Sequence, residues 1–186
     1  MTFYNVLSAL LFVGTLRVLL MAIDTSSLGV TVSAACLAIV VFNDMLSTSY
    51  TVESTQKTPY TLPLMTIDLV NFVLLALGVV VLSPADNLFD VPLPHLALWL
   101  GAPSLWLLLT FYWLLLMLWT RISCGEPQTP SVVLWQVSVV VVFFVEWLLS
   151  RCAPAIATQA AIVVLIYLVS YLTLIRFLVR RRAAQA

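Results

Sequence analysis

The sequence predicts an all-α membrane protein, a polytopic bundle of about six transmembrane helices. Apolar residues make up 63% of the 186 residues and charged residues only 9%, against about 45 to 50% and about 25% in soluble domains. The mean hydropathy is +1.12. Apolar runs of about 20 residues, the length that crosses a bilayer as a helix, recur along the chain with short connections. We therefore predict a single transmembrane domain over 1–186 and no soluble domain.

The first predicted span covers about 3–23. It lacks a basic start and a small-residue cleavage site, so it is predicted to be a retained helix rather than a signal peptide. Arg17 lies inside this apolar run, which makes it the weakest span. A five-span alternative, with the first helix along the membrane surface, stays open. The span ends at Asp24, where a short polar turn offers residues that cap the next helix.

The second and third spans cover about 28–50 and 62–83, joined by a loop at 51–61. Small and polar side chains recur on one face of the second span at spacings of three and four, as one helix face requires. Such a stripe indicates either a seam where another helix packs closely or the lining of a pore. Its members are Gly29, Ser33, Cys36, Asn43, Ser47 and Tyr50.

The last three spans are predicted at about 95–122, 131–150 and 155–179. The prolines and acids of 84–94 indicate an irregular loop before them, and Pro103 is expected to kink the fourth span in its first half. The fifth span is rich in valine. It is predicted to be a helix because an isolated strand leaves its backbone hydrogen bonds unmade in lipid.

The orientation follows from the basic C-terminal end, because Lys and Arg are enriched in cytoplasmic segments. With six spans, both termini are predicted to be cytoplasmic, together with the loops 51–61 and 123–130. We expect a multi-pass protein of a bacterial cytoplasmic (inner) membrane, with anionic lipid headgroups bound at the basic tail. That tail consists of Arg176, Arg180, Arg181 and Arg182.

Ionisable residues inside the predicted spans fall at two depths. At about 1.5 Å per residue, Arg17 and Glu146 share the outer level, and we predict that they form a structural ion pair. Asp24 is the alternative partner of Arg17. The inner level is a candidate intramembrane polar site for a cation or a shared proton, or else it is buried without such a role. Its members are Asn43, Asp44, Asp68 and Asn71.

Three tryptophans recur at seven-residue intervals along the fourth span, so they form one stripe on a helix: Trp99, Trp106 and Trp113. This stripe is a candidate interface between protomers. A lipid-binding groove and ordinary packing inside the bundle are the alternatives.

The motif search excludes several activities. The single histidine, His95, has no metal-binding context, and no nucleophile elbow or phosphate-binding glycine loop is present. We predict no catalytic residues, no metal, no cofactor and, from the zero net charge, no nucleic acid.

Three functions remain. The leading hypothesis is an oligomeric membrane subunit that anchors a cytosolic partner, or signals the state of the membrane to it, through its short loops and basic tail. The alternative is an ion channel or small cation or proton transporter lined by the second and third spans. A third hypothesis is an intramembrane enzyme that uses Asp44 and Asp68 as a carboxylate pair.

Overall fold

A computed structural model describes residues 3–25, 28–54, 61–83, 101, 103–124 and 130–183. These residues form six α-helices and no strands, and each helix is long and apolar enough to cross a membrane. The predicted all-α fold with six helices of spanning length is therefore confirmed. The helices are α1 (Phe3–Thr25), α2 (Leu28–Ser54), α3 (Leu62–Leu82), α4 (Ser104–Cys124), α5 (Pro130–Cys152) and α6 (Pro154–Ala183).

The first two helices form an antiparallel hairpin. The Thr31 hydroxyl of α2 donates a hydrogen bond of 3.0 Å to the Ala22 carbonyl of α1. Farther along, the rings of Phe12 and Phe42 lie 5.4 Å apart between their centroids. Later residues of α1 thus contact earlier residues of α2, as an antiparallel pair requires.

The remaining contacts join the helices into one bundle. Besides α1, α2 packs against α6, and α3, α4, α5 and α6 pack in sequence against one another. The contact between α2 and α3 is narrower than the contact of α3 with α4. The starts of α2, α4 and α6 gather with the last turns of α5 around one cavity, and we call this the upper end of the bundle.

The fourth helix begins later than the sequence predicts. Gly101 has a positive φ of 63°, and its carbonyl accepts a hydrogen bond of 3.0 Å from the Ser104 amide. Glycine takes this left-handed conformation without a steric cost, and Pro103 disfavours helix at the residue before it. The predicted kink within a helix is therefore wrong: the glycine and proline form a turn that precedes α4. Residues 95–100 lie outside the described part of the chain.

An aromatic core joins α4, α5 and α6. Trp106 and Trp113 are both buried, and their ring centroids lie 6.1 and 6.0 Å from that of Phe143. The ring of Trp113 also lies 5.8 Å from Tyr171. These two tryptophans thus pack inside the bundle, where they are not accessible to a second protomer as the interface hypothesis requires. Trp99 lies outside the described residues.

Candidate functional site

The predicted inner polar level contains a hydrogen bond between buried side chains. The Tyr112 hydroxyl of α4 donates to Asp44 Oδ1 of α2 at 2.9 Å, and both residues are buried. Tyr112 is not among the site residues predicted from the sequence. The available signal was its position in the middle of an apolar span, since a phenol hydroxyl buried there needs a hydrogen-bond partner.

A tight contact farther up the bundle fixes the relative heights of three helices. A Cβ atom placed on Gly78 of α3 would lie 3.1 Å from Leu105 Cδ1 of α4 and 3.2 Å from Leu37 Cδ1 of α2. The three helices therefore approach one another closely at this level, because glycine leaves room for both leucines.

Two helical turns below that contact, the same helix faces carry polar groups. Asp44, Tyr112 and Asn71 each lie seven residues from the contact, or about 10 Å down the bundle. Asn71 is 2% exposed, and its Oδ1 atom has no hydrogen-bond partner among the described residues. The inner polar level is therefore Asp44 and Asn71 with Tyr112, whereas Asn43 and Asp68 are only half-buried.

The carboxyl group of Glu146 is the most buried acid in the described part of the chain, with an exposed fraction of 1%. Its Oε1 atom accepts a hydrogen bond of 3.3 Å from the Ser150 hydroxyl, one turn farther along α5. Its Oε2 atom has no hydrogen-bond partner within the described ranges. One of the two carboxyl oxygens thus makes no hydrogen bond there, although burying a polar atom without one costs free energy.

The structure does not bring Arg17 and Glu146 together. Arg17 is exposed on α1, which packs against α2 and α3, whereas α5 packs against α4 and α6. The predicted ion pair is thus wrong. Two residues at a similar depth need not lie on helices that are neighbours around the bundle. Asp24, the alternative partner, is also exposed.

A cavity of about 170 Å³ adjoins Glu146 at the upper end of the bundle. Its walls come from four helices and the turn before α4. They combine the carboxyl group and three hydroxyl side chains with an indole and small apolar groups. The lining residues are Gly29, Val30, Ser33, Pro103, Trp106, Glu146, Ser150, Ala157, Thr158 and Ala161.

The serine hydroxyls of the cavity already use their protons. Ser33 donates to the Gly29 carbonyl at 2.8 Å, and Ser150 donates to Glu146. Because a hydroxyl has one proton and two lone pairs, each serine offers only acceptor capacity to the cavity. The lining residues include no Lys, Arg or His, so no fixed positive charge in the lining balances the carboxyl group.

The described residues contain no group of three or more His, Cys, Asp or Glu side chains that could hold a metal ion. Glu146 is the only acid that lines the cavity, and its neighbours there are hydroxyls and apolar groups. No protein-family model, curated protein or solved structure matches the chain. The function is therefore inferred from the geometry and chemistry of the site.

The basic end of the chain continues as helix. The α6 helix runs from Pro154 to Ala183, or about 45 Å at about 1.5 Å per residue, against about 30 Å for the hydrocarbon core. The predicted basic tail thus belongs to a helical extension beyond the length that fits a membrane. The arginines of this extension are Arg176, Arg180, Arg181 and Arg182.

Proposed function

We propose that this chain is a multi-pass membrane protein that binds a small cation or a proton at Glu146 and transfers it through its helical bundle. The observation that carries this proposal is the buried Glu146 carboxyl group beside a polar cavity, where one of its oxygens accepts no hydrogen bond from the described part of the chain. An ionisable side chain is expensive within a membrane, and those that occur there usually mark ion or proton pathways.

The bundle also offers a second polar level for such a pathway. The α2 helix contributes Ser33 to the cavity and Asp44 to the hydrogen bond with Tyr112. These two positions are eleven residues apart, or about 16 Å along the helix axis. That separation is about half of a hydrocarbon core about 30 Å thick. We propose that the cavity takes up the cation and that the level of Asp44 and Tyr112 is the next position at which the cation binds.

The proposed pathway differs from the one that the sequence suggested. The cavity is bordered by α2, α4, α5 and α6 rather than by the second and third spans. With the arginine-rich end of α6 in the cytoplasm, the cavity opens toward the outside of a bacterial inner membrane.

Flux measurements in liposomes test this function. Glu146→Gln keeps the size and hydrogen-bonding capacity of the side chain but removes its charge and its titratable group. We expect proton or monovalent-cation flux through the wild type and at least a tenfold loss in Glu146→Gln. Arg17→Gln is the matched control, because it removes an exposed charge from α1 and should leave flux unchanged. Equal flux through the wild type and Glu146→Gln would exclude this function.

A second function is favoured by the helical extension of α6, which continues through the arginine-rich end to Ala183. In this second function, the chain is a subunit of a homo-oligomeric assembly. The helical extension of α6 binds anionic lipid headgroups and an acidic cytosolic partner. Replacing Arg180, Arg181 and Arg182 by Gln should then release a stoichiometric soluble partner, whereas Arg17→Gln should not. Retention of that partner by the triple variant would argue against this function. No observation on the described residues favours the carboxylate-pair enzyme.

A further inference from the structure

We propose that the Glu146 cavity is a binding site for a small alkylammonium cation that carries N–H groups. This inference rests on the proposed function, since it names the substrate class of the same site. It follows from four properties of the cavity, namely its charge, its hydrogen-bonding groups, its apolar walls and its size.

The charge of the cavity suits a single positive charge. Among the described residues that line it, Glu146 is the one acid and none is basic. Calcium requires six to eight oxygen ligands, usually with several carboxylates, and magnesium requires near-ideal octahedral geometry. The described residues contain no cluster of acids for such an ion. A monovalent cation therefore fits, and a divalent one does not.

Glu146, Ser33 and Ser150 present hydrogen-bond acceptors to the cavity. Oε2 of Glu146 has no hydrogen-bond partner among the described residues, and the protons of Ser33 and Ser150 are directed to the Gly29 carbonyl and to Oε1 of Glu146. The Thr158 hydroxyl adds a further oxygen to the wall. A ligand that matches these oxygens must supply donors. An ammonium group does so with charge-assisted hydrogen bonds, whereas a quaternary ammonium has no N–H group to offer.

The apolar part of the lining distinguishes an organic cation from a bare metal ion. Trp106 and the side chains of Val30 and Ala161 form wall beside the oxygens. A cation that lies near an indole face is attracted by it, and a short alkyl group buries apolar surface against the aliphatic wall. A sodium ion has no alkyl group and therefore buries no apolar surface against the aliphatic wall.

The size of the cavity limits the ligand to a few heavy atoms. Its volume of about 170 Å³ is below the range of about 300 to 1,000 Å³ that is typical of sites for drug-sized molecules. Methylammonium and ethylammonium belong to the class that fits.

Equilibrium binding to the purified full-length chain in detergent tests the proposal. The probe is radiolabelled methylammonium, and unlabelled methylammonium, tetramethylammonium and sodium compete with it at constant ionic strength. We expect saturable binding by the wild type, with tetramethylammonium and sodium competing at least tenfold less well than methylammonium.

The variants assign the binding to the cavity. Glu146→Gln should weaken binding at least tenfold, and Thr158→Val, which removes one oxygen at nearly constant volume, should weaken it several-fold. Arg17→Gln should bind like the wild type. Size-exclusion profiles and circular dichroism check the folding of each variant. If Glu146→Gln does not fold, the binding of methylammonium to Thr158→Val tests the proposal.

The outcomes separate this inference from the proposed function. Proton flux that depends on Glu146, without saturable methylammonium binding, would overturn the inference and leave the function standing. Absence of both would overturn both. Equal competition by sodium would show an inorganic cation site, and equal competition by tetramethylammonium would show that N–H donors are not recognised. Either result would contradict the proposed ligand class.

Discussion

At the scale of single residues, the buried carboxyl groups of Asp44 and Glu146 differ in how they are satisfied. Asp44 accepts a hydrogen bond of 2.9 Å from a tyrosine on another helix. Glu146 accepts one long hydrogen bond of 3.3 Å from its own helix, and within the described ranges its second oxygen accepts none. We infer that the first carboxyl group holds helices together, whereas the second is available to a ligand.

The bond between Tyr112 and Asp44 should contribute to stability. Tyr112→Phe removes only the hydroxyl, and we expect it to lower the free energy of unfolding by about 1 to 2 kcal/mol. A double-mutant cycle with Asp44→Leu, which removes the acceptor oxygens at a similar side-chain size, measures the coupling between the two side chains by thermal unfolding in detergent. Strictly additive losses would show that the two side chains do not interact.

Residue-level chemistry was only partly predictable. The sequence located the polar residues by depth, because an α-helix rises by a constant amount per residue. It did not indicate which residues face each other, because the rotation and neighbours of a helix depend on packing against the others. For this reason Arg17 and Glu146 were paired wrongly and Tyr112 was missed.

At the scale of helices, close packing of α2 against α6 depends on Gly29. A Cβ atom at this position would lie 2.9 Å from Thr158 Oγ1. Threonine is stiff at χ1, so its hydroxyl cannot easily move away. The stripe of small residues on α2 thus serves as a packing seam at this point, as one of the two sequence-based interpretations suggested.

Gly29→Ala should therefore destabilise the bundle, by about 1 to 3 kcal/mol for an overpacked contact. The control is Gly14→Ala, where the nearest atom to the new Cβ is Val79 Cγ1 at 3.9 Å. That change should be neutral or stabilising by up to about 1 kcal/mol, because alanine favours helix over glycine. Thermal unfolding of both variants checks the difference, and an equal response of the two would rule out the seam.

Helix existence was easier to predict than helix ends. Long apolar runs leave helix as the only solution in lipid, which is why even the valine-rich α5 was predicted correctly. The start of α4 was wrong because hydropathy continues smoothly through Gly101 and Pro103, whereas their backbone preferences do not. Local conformational limits thus decided a boundary that the apolar pattern could not show.

At the scale of the whole molecule, the proposal requires that the cavity open to the outside. Single cysteines placed at Asp90 and at Ala186, in a background without Cys36, Cys124 and Cys152, report the two sides of the membrane. We expect an impermeant thiol reagent to label position 90 in intact cells and position 186 only after permeabilisation. Labelling of position 186 from outside would reverse the orientation and direct the cavity to the cytoplasm.

The central claim is that the Glu146 carboxyl group is accessible from the cavity and binds a cation there. Dicyclohexylcarbodiimide, an apolar reagent that couples to protonated carboxyl groups, tests this directly when the modified residue is identified by mass spectrometry. We expect Glu146 to be modified faster than Asp44, and methylammonium to slow its modification at least fivefold while leaving Asp44 unaffected. No modification of Glu146, or modification at the same rate with and without methylammonium, would contradict the claim.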